Sequence, residues 1–478
     1  MKNNKLLSFS VGPIISALLT LITLPLISWF FTPEDIGRYS ILQATTACGA
    51  LFLALGLDQS FVRYFYADIE RGTLLKSTLL PGILIYVFFV SLWALGGISF
   101  SNLLLSLNGI YFEILTIICI FFVFGNSVLT LLLRMHGFGW AFSLSQIIPK
   151  LVLMLMLFFI YLFDFKSNFY TLISLYAISL GSAFIFFILF NREYIIDAFK
   201  AKIDFVKLQE LYRFGFPLFG ATLSYWMLTS IDRFFIKNLS TLEELATYSI
   251  ATSFASVVAI FIAVFGNLWH PTVYRWHADN VSFERFKLVI DFISIVVIVV
   301  WTLFGVFSSV LVNFVPETYS PIGYLIIGCA AAPLFYLLSE STVIGIGISK
   351  KTGYSFVAGF TSLLINLILN YILVPRLGAV GAAFSSMLSF YVFFILRTEF
   401  SVMLWNSFSR FKLYIVTAGY LLLTIFHISL YKFGYEINGL YLNLFWFLLF
   451  FVSLLTYKKS IIAMYEYYQN FKGKKIRC

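Results

Sequence analysis

Long uncharged stretches, broken by short polar turns, recur along the whole chain. The first, Val11–Phe31, carries no charged residue; at 1.5 Å of rise per residue, about 20 helical residues cross a hydrocarbon core about 30 Å thick. Thr32-Pro33-Glu34-Asp35-Ile36-Gly37-Arg38 has the make-up of a short wet turn, and a second run, Tyr39–Phe61, returns. Similar runs lie at Leu79–Phe100, Phe112–Leu133, Ile147–Phe163 and Phe169–Phe190, then at Phe214–Ile236, Ala246–Leu268, Leu288–Val312 and Ile322–Ile346. Tyr354–Val374, Gly378–Leu396, Leu413–Tyr431 and Ile437–Tyr457 complete fourteen predicted spans. Barrel strands would be about 10 residues long and alternate strictly, so the predicted fold class is all-α, a polytopic membrane protein.

The opening hairpin is written twice. Gly12-Pro13 leads the first run and Pro25 interrupts it, an internal proline that membrane helices tolerate where protein or water satisfies the freed carbonyl. Two hundred residues on, Phe214-Gly215-Phe216-Pro217 leads a run ending in Asp232-Arg233. A polar turn follows, and Tyr248-Ser249-Ile250 opens the return helix as Tyr39-Ser40-Ile41 did before. Landmarks repeated in order are the signature of an internally duplicated transporter. The expected organisation is two pseudo-symmetric six-helix halves, 1–190 and 214–396, with a cytoplasmic amphipathic linker at 191–213. Two extra helices and a basic cytoplasmic tail occupy 397–478.

Composition removes the soluble alternatives. Hydrophobic residues make up 61% and charged residues 11%, against about 45–50% and 25% in soluble domains; mean hydropathy is +0.94. The net charge of +10 follows membrane topology. With the N-terminus cytoplasmic, 26 of the 32 Lys and Arg residues fall inside, among them those near Arg71, Lys202 and Arg410, as the positive-inside rule requires. A nucleic-acid partner is thereby excluded. The first apolar run is too long for a signal peptide and is read as a retained helix. Cys48, Cys119, Cys329 and Cys478 show no paired spacing, so neither a disulfide nor a metal is expected. His270 and His277, beside Trp269 and Trp276, are read as an interfacial loop.

An ionisable group deep in lipid costs about 2.5–3.5 kcal/mol, which makes each one a functional candidate. Glu340, within Ser339-Glu340-Ser341-Thr342, is expected to be the deepest. It reads either as a neutral acid bonded to a neighbouring helix or as a cavity-facing, ion-coupling carboxylate. Asp58 and Arg63 mark the inner mouth of the second span and Arg213 that of the seventh. Asp232 and Arg233 are placed near the outer mouth, and Arg134 and Lys150 flank the inner loop between the fourth and fifth spans. These cations either snorkel to headgroups or line a cavity for an anionic substrate, since guanidinium matches phosphate oxygens bidentately. Asp58 and Asp232 join Glu340 as ion-coupling candidates. There is no GxxxxGK[ST] for ATP, no Asp-x-Asp in a long outer loop and no HExxH; no cofactor and no enzyme activity are expected.

Gly12-Pro13, then Thr32–Ser40, then Leu55-Gly56-Leu57-Asp58-Gln59-Ser60-Phe61-Val62-Arg63 resemble the first hairpin of the oligosaccharide flippases. These belong to the multidrug/oligosaccharidyl-lipid/polysaccharide exporter superfamily. Phe214–Pro217, Ile231–Phe234 and Ala246–Ser249 resemble its seventh helix and the start of its eighth. Asn366–Ala383, with Asn370, Val374-Pro375-Arg376 and the Gly378–Ala383 run, resembles its eleventh and twelfth. The resemblance implies a MATE-like fold and a flippase for undecaprenyl-diphosphate-linked repeat units in a bacterial inner membrane. It also implies a role in O-antigen, lipopolysaccharide or capsule synthesis, with a lipid-linked oligosaccharide substrate, a coupling cation, and polymerase and chain-length machinery as partners. The rivals are an ion-coupled multidrug exporter of the same superfamily and a polytopic polysaccharide polymerase or glycosyltransferase. The basic bias of the mouth charges disfavours cationic drugs, and the short outer loops disfavour a polymerase.

Overall fold

Thr32 shows how the apolar runs are delimited. Its side chain accepts the amide of Asp35, Pro33 takes the first helical position, and Glu34 and Asp35 lie in the first turn. This satisfies orphan amides and complements the positive helix end. The computed structural model describes residues 2–66, 70–96, 99–163, 165–435 and 439–475, with backbone alone at 2–7, 10, 100, 467, 468 and 470–475. Cys478 and Arg477 lie outside the described residues.

All regular structure among the described residues is helical. In chain order the helices are α1 (Lys2–Ile27), α2 (Pro33–Ala54), α3 (Leu57–Tyr64), α4 (Arg71–Gly96), α5 (Phe100–Leu105), α6 (Ile110–Met135), α7 (Gly139–Phe163), α8 (Phe169–Phe190), α9 (Arg192–Lys200) and α10 (Phe205–Leu239). They continue as α11 (Leu242–Ala255), α12 (Val258–Ala278), α13 (Phe283–Leu311), α14 (Ile322–Thr342), α15 (Ile344–Ile348), α16 (Gly353–Leu377), α17 (Ala379–Leu404), α18 (Phe411–Lys432), α19 (Gly439–Thr456) and α20 (Lys458–Lys475). Ten are long and apolar enough to cross a membrane, and the bent pairs α2/α3 and α11/α12 raise this to twelve. With α1 and α10, each of the fourteen expected spans coincides with a helix or a bent pair.

Helix starts are where expectation and structure part. α1 and α10 each begin nine residues before the apolar run, and α7 begins at Gly139 rather than Ile147. Hydropathy registers the hydrocarbon core, whereas helical hydrogen bonding continues through interfacial residues until something caps it. At α10 the cap is Asp204, which accepts the amides of Val206 and Lys207. At α7 the interruption is Gly137, at φ 80°. The Gly-Pro motifs therefore lie inside helices, with Gly12 and Gly215 each ten residues after the first residue of α1 and α10. The linker shrinks to α9 with Asn191 before it and four residues after it, since Phe205–Arg213 already belongs to α10. His270-Pro271 is not a loop but part of α12.

The chain forms two compact units, 1–249 and 250–478. In the first, α1 and α7 meet along small residues. Ser8, Gly12, Ser16 and Thr20 recur every fourth position, so they share one helix face. The Gly12 amide donates to Ser143 Oγ at 2.9 Å, and that hydroxyl donates to the Ser8 carbonyl. Close backbone approach through Gly and Ser is how membrane helices gain packing contact. α2 breaks at Leu55 (φ 46°) and Gly56 (φ 77°), turning α3 by 57°, and α10 lies along both. Ser60 Oγ donates to the Leu211 carbonyl at 2.7 Å, and Ser40 and Ser249 share a hydrogen bond at 2.6 Å.

In the second unit α14 is the central helix, packed by α13, α17 and α18. Its Gly328–Ala332 run is buried, and small side chains there admit close neighbours. Trp301 of α13 donates to Thr424 Oγ1 of α18 at 3.0 Å. Asp291 of α13 accepts Lys412 Nζ at 2.7 Å and Ser460 Oγ at 2.6 Å, which fastens α20 to the bundle.

Candidate functional site

The early start of α7 changes the reading of Lys150. Eleven residues separate it from Gly139, about 16 Å along the axis, so it lies in the interior of a span rather than beside the inner loop. Its ammonium has three donors and uses them on the Ser16 carbonyl at 2.7 Å, Ser16 Oγ at 2.6 Å and Thr20 Oγ1 at 2.5 Å, all on α1. These partners are neutral, and Lys150 forms no ion pair among the described residues. It borders a cavity of about 300 Å³ whose other polar walls are Thr23, Tyr39, Gln43, Tyr176 and Ser179. The Tyr39 and Tyr176 rings meet edge to face at 5.3 Å, and Tyr176 shares a hydrogen bond with Thr46. A positive charge without a counter-charge, among hydroxyls and an amide, gives a cavity chemically suited to an anionic, hydroxyl-rich ligand.

The arginine candidates fall into two groups. Arg63 lies on α3 with its guanidinium 4.5 Å from the Phe214 ring centroid, next to Arg213 in sequence. Arg134 ends α6 beside the same end of α3, where Tyr66 donates to the Met135 carbonyl at 3.0 Å. These three therefore gather at one end of the first unit. Arg233 lies twenty residues after Arg213 on α10, about 30 Å along the axis, and its Nε is buried without a hydrogen-bond partner. One diphosphate cannot be held by Arg63, Arg213 and Arg233 together. Asp58 accepts its neighbour Gln59 at 2.8 Å, and buried Asp232 accepts Tyr248 Oη at 2.7 Å. These two acids are likewise remote from each other, near opposite ends of α10.

Glu340 sits in the last turn of α14, and α15 follows after the single residue Val343. It is not a neutral acid among hydroxyls. Arg397 Nη1 of α17 meets Oε1 at 2.8 Å, and His270 Nε2 of α12 meets Oε2 at 3.1 Å. Arg397 also donates to Ser339 Oγ at 2.8 Å and lies over the Phe393 ring at 4.9 Å, a cation–π contact. Reading Arg397 as an inner-loop cation fails because the polar triplet Arg397-Thr398-Glu399 ends the apolar run but not the helix, which continues to Leu404.

Two further features escaped sequence reasoning. Buried Glu113 of α6 accepts Ser101 Oγ at 3.2 Å and the Trp93 indole, tying α4 and α5 to α6; its place in a first turn was the available signal. An apolar cavity of about 420 Å³ is walled by Phe52, Tyr86, Trp93, Leu103, Ile120 and Phe234, among others. Its small polar content suits hydrocarbon.

The arrangement of helices recurs in solved transporters. The chain aligns with the lipid II flippase MurJ in an inward closed conformation at TM-score 0.60, with 16% identity, over 95% of this chain and 99% of that one. An inward-facing MATE family multidrug resistance transporter of the MOP superfamily aligns at TM-score 0.52, with 17% identity, over 81% and 94%. At such identities the likeness is one of fold: all-α, multi-pass and MATE-like. In sequence, the capsular polysaccharide biosynthesis protein CapF of Staphylococcus aureus is 22% identical over 410 residues, 80% of this chain and 97% of that protein. Residues 4–277, which hold the repeated hairpin and Lys150, match the polysaccharide biosynthesis protein family, and the chain belongs to that family.

Proposed function

We propose that the protein is a flippase that moves an undecaprenyl-diphosphate-linked oligosaccharide repeat unit across a bacterial inner membrane. The product serves O-antigen, capsule or another surface polysaccharide, and transport proceeds by ion- or potential-coupled alternating access between two six-helix halves, 1–190 and 214–396. The observation that carries this reading is Lys150, a charge in the interior of a span with neutral partners only, facing a hydroxyl-lined cavity. An uncompensated cation inside a membrane protein is costly to keep, and an anionic, sugar-bearing cargo gives it a use. The names of the relatives agree: one is a lipid II flippase, another a capsular polysaccharide biosynthesis protein.

In this reading Arg63, Arg134 and Arg213 receive the diphosphate at the cytoplasmic mouth and Arg233 meets it at the outer one. Asp58 and Asp232 stay ion-coupling candidates with Glu340. Both termini are cytoplasmic, and polymerase and chain-length machinery take over the product. A multidrug exporter is the weaker alternative, because the deepest charge of the candidate cavity is a cation and repels cationic drugs. The test is reconstitution in vesicles with a fluorescent undecaprenyl-diphosphate oligosaccharide, scored by its exposure to an external quencher. Wild-type protein should accelerate exposure over protein-free vesicles, and Lys150→Met should lose most of that acceleration. No acceleration by wild type would overturn the flippase reading.

A further inference from the structure

We propose that His270 is a proton-binding site of the second unit, and that the ion coupled to transport there is a proton rather than a metal cation. The inference rests on the flippase reading and adds the identity and seat of its coupling ion. Each Glu340 oxygen is already engaged, Oε1 by Arg397 and Oε2 by His270. Arg397 cannot deprotonate in a protein, and it is held in place by Ser339 Oγ and the Phe393 ring. The carboxylate thus has a permanent counter-charge, which removes the attraction a sodium ion would need.

His270 can carry a change in the charge of the cluster. With Glu340 ionised and His270 neutral, the three groups sum to zero. With Nε2–H donating to Glu340, Nδ1 holds the free lone pair; a proton from water forms the N–H bond there and leaves the cluster at +1. Access favours the same residue: the His270 side chain is 51% exposed, against 9% for Glu340 and 11% for Arg397. Among the described residues, the groups met at α12 are these. α14 presents Glu340, whose other oxygen is held by Arg397 of α17. α13 meets α12 through the Trp269, Trp276 and Phe286 rings. α15 offers Gly347 to the Tyr274 hydroxyl.

The cluster also lies where movement can be read out. α12 follows a 43° bend after α11, and His270 is its contact with the carboxylate on α14. An imidazolium makes a charge-assisted bond there, stronger than the neutral one, so proton uptake holds α12 against α14 and proton loss loosens it.

The experiment imposes a pH gradient or a sodium gradient separately on vesicles containing the full-length protein and the fluorescent cargo. The pH gradient should change the initial flipping rate several-fold and the sodium gradient should leave it unchanged. His270→Gln should lose the pH-gradient response, whereas His277→Gln, seven residues along the same helix, should keep it. A rate driven by sodium, a wild-type rate indifferent to pH gradient, or a retained response in His270→Gln overturns the proposal. Failure of wild type to flip cargo at all is a failure of the flippase reading instead. A cargo-free measurement then still decides the site: the imidazole NMR signal assigned to His270 should change its chemical shift in Glu340→Gln, and an unchanged signal overturns the proposal.

Discussion

Gly56 and Gly215 meet backbone to backbone, each in the space a side chain would fill. A Cβ on Gly56 would lie 2.1 Å from the Gly215 carbonyl oxygen, and one on Gly215 would lie 2.5 Å from that of Gly56. Gly56 is also at φ 77°, where an L side chain is strained. The two glycines belong to the landmarks of the two hairpins, and their contact lets α10 seat on the bend between α2 and α3.

Gly56→Ala and Gly215→Ala should therefore each destabilise the protein by roughly 1–3 kcal/mol, the usual cost of forced overpacking, read as a lowered thermal midpoint in detergent. Gly220→Ala is the control. An added methyl there meets nothing within 4 Å, and the helix should gain up to about 1 kcal/mol. Equal midpoints for all three would mean that the close contact does not exist.

Lys150→Met should separate binding from folding. It removes an uncompensated charge at similar volume, and replacing a buried ion by a hydrophobe is often neutral or stabilising. The Ser16 carbonyl keeps the Thr20 hydroxyl as donor at 2.8 Å. We expect an unchanged or higher thermal midpoint together with at least about tenfold slower flipping, a loss of some 1.4 kcal/mol in transition-state stabilisation. Lys150→Arg should rescue poorly, because three acceptors on one helix face fit a compact ammonium rather than a planar fork.

The Arg397–Glu340 pair should show strong coupling. Arg397→Gln alone leaves a buried carboxylate without its guanidinium, a loss of about 3–5 kcal/mol for a buried pair. Adding Glu340→Gln should recover much of it. A double-mutant cycle on thermal stability that gives additive effects would show that the pair is not formed.

Orientation is tested by labelling. Single cysteines at Lys202 and Arg410 should react with membrane-impermeant reagents only from the cytoplasmic side, and one at Lys166 only from outside, because the positive-inside asymmetry runs that way. Labelling at Lys202 from outside would reverse the whole orientation.

Sequence alone determined the all-α class and the place of each membrane helix. These were legible because the cost of placing a residue in hydrocarbon is a property of that residue and its immediate neighbours. Only the tertiary structure decided which charge lies deep and what it touches. Lys150 moved inward because α7 starts at Gly139. Hydropathy does not locate helix starts, so it could not place it. The partners of Glu340 were hidden for a different reason. Arg397 is 57 positions away and His270 lies on another helix altogether. Their meeting depends on how α12, α14 and α17 pack, and packing joins residues whose separation along the chain carries no trace of it.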